Sequence, residues 1–281
     1  MNRKRITQVF PWLLPIRKRQ RKLFFYIKMR FDNNCYSIKK SDTLLPYSIF
    51  ETSCPICNEE TGFDMIYQKN KEFNLKLAAE TVSKIIIKPH ETFSFWQLVR
   101  YADKFIPYKE GLVVINEELT TEKGGGLCQL SNLLFWMFIH TPLTIIERHS
   151  HKVKKFPEPP SDAVIGVDAA VSEGWLDLKV RNDTENIFQI NIYFEDENIK
   201  GQILTNEDMG RTYVITNGTP VYYESNNKIY EKIDVIQKTV LPDSGECVSS
   251  KLLYVNLCEI GYQLSEDIMI EKISVRSGGY L

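Results

Sequence analysis

No run within the 281 residues approaches the roughly 20 consecutive apolar side chains that a helix needs to cross a bilayer. A secretory leader is not expected either. The opening MNRKR is basic, but the apolar run Val9 to Ile16 (VFPWLLPI) holds two prolines and leads into RKRQRK instead of a small-residue cleavage site. Six cysteines are too few for the disulfide framework of a small secreted domain, so reduced thiols in the cytoplasm are the simplest reading. The pair Cys54 and Cys57 has C-x-x-C spacing, yet no second pair follows at a spacing that would complete a zinc site, and Cys247 and Cys258 stand in a different region. No metal or other cofactor is expected. Excess charge of one sign is also missing: 35 Lys and Arg face 36 Asp and Glu, which argues against nucleic acid as a partner. No internal repeat is visible.

Charge is uneven locally. The first thirty residues carry ten Lys or Arg and no acid, interleaved with Phe10, Trp12, Phe24, Phe25 and Tyr26. Two readings stay open: peripheral attachment of residues 1–30 to an anionic inner leaflet, or a solvated basic arm packed on the rest of the domain.

The remaining pattern predicts an α+β protein in three regions: an irregular N-terminal region to residue 68, a central domain over 69–195, and a β-rich extension over 196–281. NKEFNLKLAAETVSKI (70–85) has helical spacing, with Phe73, Leu77 and Val82 inward. GLVVI (111–115) reads as a strand, and LTIIERHSH (143–151) as a strand with two histidines at its far end. After FPEPPSD, short alternating runs separated by Asn217-Gly218, Asn226-Asn227 and Asp243-Ser244-Gly245 read as antiparallel sheet.

Chemistry concentrates around GGGLCQLSNLLFWMFIH (124–140). Gly124, Gly125 and Gly126 permit a sharp turn, and the apolar spacing from Leu130 onward predicts a buried helix with Cys128 at its N-terminus. Unpaired N–H groups and the helix dipole there favour a thiolate, the nucleophilic form of cysteine. The bland alternative is a small buried cysteine after a flexible loop. Downstream stand His149 and His151, expected on one face of a strand, then Asp168, Asp177 and Asn182, expected on later strands. A cysteine on a helix, followed by histidine and carboxylate, is the order used by papain-like and transglutaminase-like folds. His140 and His90 read as helix-end and turn residues.

Four segments then carry a resemblance: ETFSFW, GGGLCQLS (124–131), ERHSH (147–151) and GVDAAVSEGWLDLKVRN, with Asp168–Val171 and Leu176–Asn182 as its two motifs. Their order and content are similar to the VanW family over residues 70 to about 190. His90 and Val167 depart from it, standing where members carry glycine and arginine. The resemblance implies a VanW-type core with a Cys-bearing helix on an antiparallel sheet, and a role as an accessory in glycopeptide resistance. It also implies L,D-transpeptidase-like acyl transfer, or hydrolysis, on peptidoglycan stem peptide or its precursor. In that scheme Cys128 is the nucleophile, His149 or His151 the base, and Asp168 or Asp177 its orienting partner. Gln129 with the helix amides, among Gly124, Gly125, Gly126 and Ser131, would hold the substrate and its oxyanion, and Arg148 a stem-peptide carboxylate. The competing expectation is a non-catalytic accessory that binds precursor or a resistance enzyme.

Overall fold

The computed structural model describes residues 10–58, 61–115, 118–157, 161–265 and 267–272. Alternating side chains in Phe188–Glu195 and Asn198–Thr205 make an antiparallel hairpin. Asp196 and Glu197, with φ of 49° and 62°, form its tight turn. Tyr47–Pro55 pairs with the second of these strands and Ile86–Ile87 with the first, giving an all-antiparallel four-stranded sheet. That sheet draws strands from all three expected regions, and the expected boundary at 195/196 falls on its hairpin turn.

Four α-helices occur among the described residues: α1 (Leu14–Arg30), α2 (Ile66–Val82), α3 (Phe95–Val99) and α4 (Cys128–Ile139). Helix α4 lies on the four-stranded sheet. Leu130, Leu134, Phe135, Met137 and Phe138 are buried, which accounts for its apolar character all round. The strand passing beneath carries Gly201, where a Cβ would sit 2.4 Å from Met137 Sδ, so close packing of helix on sheet depends on that glycine. The inward face of α2 differs from the one expected. Leu75, Ala78, Ala79 and Val82 are buried, while Phe73 and Leu77 are only half-buried. The phase is set by Asn74, fully buried, whose amide donates to Lys109 O and Gly125 O, both at 3.0 Å.

A second sheet runs Cys35–Tyr36, Glu91–Ser94, Lys179–Arg181, Thr144–Glu147. His90 precedes its second strand with φ 64°, the left-handed region that favours glycine. Among its described residues the C-terminal region has strands and no helix. Lys228–Val240 pairs with Cys247–Ile260 on one side and with Val221–Ser225 and Thr212–Asn217 on the other, as the alternation and the Asn226-Asn227 turn predict. Ile215 and Val235 join the main hydrophobic cluster, so this sheet shares the core.

Two expectations need correction. The strand 144–147 stops at Glu147, so Arg148 to His151 lie beyond it in irregular backbone, and the two histidines do not share a strand face. Asp168 and Asp177 also lie outside strands. In both stretches the backbone bonds to side chains and to other loops instead of forming a ladder.

The end of α4 is closed by His140. Its Nδ1 lies 2.8 Å from Trp136 O, and its ring stacks on Phe50 at a centroid distance of 3.6 Å. Burial pushes the imidazole down to about 4, against the backbone contact with Trp136 that favours the proton. The folded state therefore takes this proton later than the unfolded chain, whose histidine titrates near 6.5. Stability from this site is complete above about 6.5 and is lost as the pH falls toward about 4. Denaturant titrations of wild type and His140→Phe should show wild type losing about 2 kcal/mol more than the variant between roughly pH 7 and 5.

Candidate active site

The sharp turn into α4 is built by the glycines. Gly124 and Gly126 take φ of 79° and 93°, and Gly125 lies so close to Gly111 that a Cβ on it would meet the Gly111 carbonyl at 2.2 Å. The side chain of Lys71 covers Gly126. Cys128 opens the helix half-buried, with its Sγ 3.7 Å from Val171 O. Backbone bonds from Gln129, Leu130 and Ser131 close the first turn on Gly126 and Leu127, and no backbone carbonyl among the described residues accepts from the Cys128 N–H.

The histidines separate cleanly. His151 Nδ1 is 2.7 Å from Asp168 Oδ1, and its backbone N–H donates to Asp168 Oδ2 at 2.6 Å, so one carboxylate fixes both ring and backbone. Burial opposes charge on His151, but Asp168 and Cys128, each by charge and by hydrogen bond, together hold its pKa well above the ordinary 6.5. Asp168 is almost wholly buried. Burial would raise its pKa, but His151 and, more weakly, Arg148 bring it below the usual carboxylate range. His149 points elsewhere, its Nε2 3.1 Å from Glu147 Oε1. The structure thus brings Cys128, His151 and Asp168 together and leaves His149 outside the group.

Asp177 also stands apart from both histidines. Its Oδ2 accepts from Ser94 Oγ at 2.6 Å and its Oδ1 from the N–H groups of Trp96 and Leu178, pinning the start of α3. Burial raises it to about 6, although those same bonds favour its charge. Arg148 turns inward. Nε donates to Asp168 O at 2.6 Å, Nη2 to Asn256 Oδ1 at 2.7 Å, and the guanidinium stacks 3.9 Å over Tyr254. Gln129 donates its amide to Pro55 O at 2.6 Å. Ser131, fully buried, donates to Ala169 O at 2.6 Å.

Four participants were not anticipated. Asn132 Oδ1 accepts from Ala169 N at 2.7 Å. It stands one turn beyond Cys128, so i, i+4 spacing could have found it. Glu147 links His149, Lys179 and the Asp177 N–H. Burial would raise its pKa, yet those partners bring it below the ordinary value. Asn256 and Tyr254 come from the C-terminal sheet, and nothing in local spacing connects them with Arg148, 108 residues away from Asn256.

A family model described as VanW like protein matches residues 70–204. The Vancomycin B-type resistance protein VanW of Enterococcus faecalis is 55% identical over 97% of this chain and 99% of its own length. The uncharacterized protein YoaR of Bacillus subtilis is 34% identical over 41% of this chain and 36% of its own. No solved structure matches the chain.

The geometry separates the histidines experimentally. Alkylation of Cys128 by iodoacetamide near neutral pH should slow roughly tenfold or more in His151→Ala and stay within about twofold in His149→Ala. Arg148→Lys should lower stability to urea by about 2 kcal/mol or more, since a lysine cannot reach both acceptors while stacking on Tyr254. A loss of activity with unchanged stability would instead return Arg148 to a substrate-binding role.

Proposed function

The chain belongs to the VanW family, and from that premise we propose that it is an accessory protein of glycopeptide resistance whose Cys128, His151 and Asp168 form a thiol acyltransferase site. Its substrate class is the stem peptide of peptidoglycan or a precursor of it. The observation that carries this reading is the pair of bonds from Asp168 to His151, which orients the imidazole beside Cys128. A neighbouring relative named for vancomycin B-type resistance, alike over nearly its whole length, supports the biological setting.

With Nδ1 engaged by Asp168, Nε2 is the nitrogen available to the thiol. In this reading the Cys128 proton passes to His151, and the sulfur bonds the carbonyl carbon of the donor peptide or depsipeptide. The oxyanion of the tetrahedral adduct is met by the Cys128 N–H at the head of α4; the Gln129 amide is already spent on Pro55. His151 returns the proton to the departing amine or alkoxide, leaving a thioester on Cys128. An acceptor amine, or water, then attacks the thioester and gives its proton, through His151, to the sulfur. Asp168 stays ionised throughout, because the charge on His151 stabilises its carboxylate.

The test is covalent capture. The full chain is incubated with precursors ending in D-Ala-D-Ala or D-Ala-D-lactate, quenched in acid and weighed by mass spectrometry. A peptidyl adduct on Cys128 that is absent from Cys128→Ala is the expected result. No adduct from either donor, with Cys128 alkylated no faster than the exposed Cys35 of the same chain, would overturn the chemistry and favour a binding accessory.

A further inference from the structure

Helix α1 has two apolar faces, and only one of them is covered. On the covered side Met29 is buried, and Phe25 and Tyr26 pack on the core. Tyr26 donates to Glu173 at 2.9 Å, Lys22 pairs with Glu173, and Lys18 pairs with Glu122. On the opposite side Ile16, Leu23 and Ile27 recur at i, i+7 and i+11, with Phe24 beside them and Phe31 following at the C-cap. All five are exposed, Phe31 by 75%. Arg17, Arg21 and Lys28 border this stripe on one side, and Arg19 and Arg30 on the other.

We propose that α1 is a membrane-surface helix, its exposed stripe seated among the acyl chains of an anionic bilayer and its flanking cations on the lipid phosphates. Three observations select this occupant. Helix α1 contains no acid, and the first in the chain is Asp32, so the whole rim of the stripe is positive. A second copy laid on the same stripe would bring two positive rims together, at an electrostatic cost. Among the described residues no helix is long and apolar enough to cross a membrane, and seven Lys or Arg in seventeen residues fit a helix lying in the interface.

This placement bears on the candidate site without resting on its chemistry. Glu173, held by the covered face of α1, is two residues from Val171, whose carbonyl faces the Cys128 thiol. A helix lying on the bilayer therefore sets the site beside the headgroup layer, where a lipid-linked peptide would present itself.

The test is sedimentation of the full chain with vesicles of phosphatidylcholine alone or mixed with phosphatidylglycerol, alongside sedimentation velocity without lipid. Binding is expected to be at least about tenfold stronger to the anionic vesicles and to weaken with salt. The triple variant Leu23→Gln, Phe24→Gln, Ile27→Gln should bind at least about tenfold more weakly. Those side chains face solvent, and an unchanged thermal unfolding curve verifies that the variant is folded. Arg17→Gln with Lys28→Gln should lose the preference for anionic lipid. The proposal is overturned by equal binding to both vesicles, by no binding, or by binding that survives the triple variant. It is equally overturned by a dimer that forms without lipid and is abolished by the triple variant, which would make the stripe an interface between copies.

Discussion

Everything at the candidate site hangs on four residues, Asp168 to Val171, that run through the interior without belonging to a strand. Such a segment must find partners for its polar groups elsewhere. Its N–H and C=O groups are met from both sides. Arg148 donates to Asp168 O, Asn132 and Ser131 bind the N–H and C=O of Ala169, Ala170 N donates to His149 O, and Val171 O faces Cys128. One side of the segment is therefore tied to the first turn of α4, and the other to the loop that follows Glu147. Cys128 and His151 are brought together because each is fixed to the same short stretch of backbone.

The electrostatics follow from that clasp. A buried carboxylate is costly unless its oxygens are satisfied, and both Asp168 oxygens are taken by His151. Arg148 sits on the carbonyl of the same residue and is itself held by Asn256 and Tyr254. The C-terminal sheet thus supports the site from behind: through Arg148, the strand Cys247–Ile260 fixes the far end of the clasp. The guanidinium acts inside the fold, as a positioning group whose desolvation is offset by two charge-assisted bonds and an aromatic face.

Much of this was legible in the sequence. Three glycines and the apolar spacing after them place Cys128 at the head of a buried helix, and the α+β character with a β-rich C-terminal region follows from alternation and turn residues. Less legible was what the other polar residues of the motifs do. Arg148 and Gln129 suggest ligand-binding groups by residue type, but their partners, Asn256 and Pro55, are distant in sequence. Asp168 and Asp177 are equivalent candidates on paper. Only the folded chain shows that the first faces His151 while the second caps α3 through Ser94 and Trp96. The choice between the histidines was hidden for a related reason: strand periodicity does not apply once the backbone leaves the ladder at Glu147.

The most direct measurement of the clasp is the titration of His151 by NMR on histidine-labelled protein, with its signal assigned among the four histidines by substitution. In the wild type it should titrate well above 6.5, because Asp168 and Cys128 hold its proton. In Asp168→Asn, which keeps the shape and removes the charge, it should fall markedly. An ordinary titration in the wild type, unchanged by Asp168→Asn, would contradict the account and leave Cys128 without an oriented base.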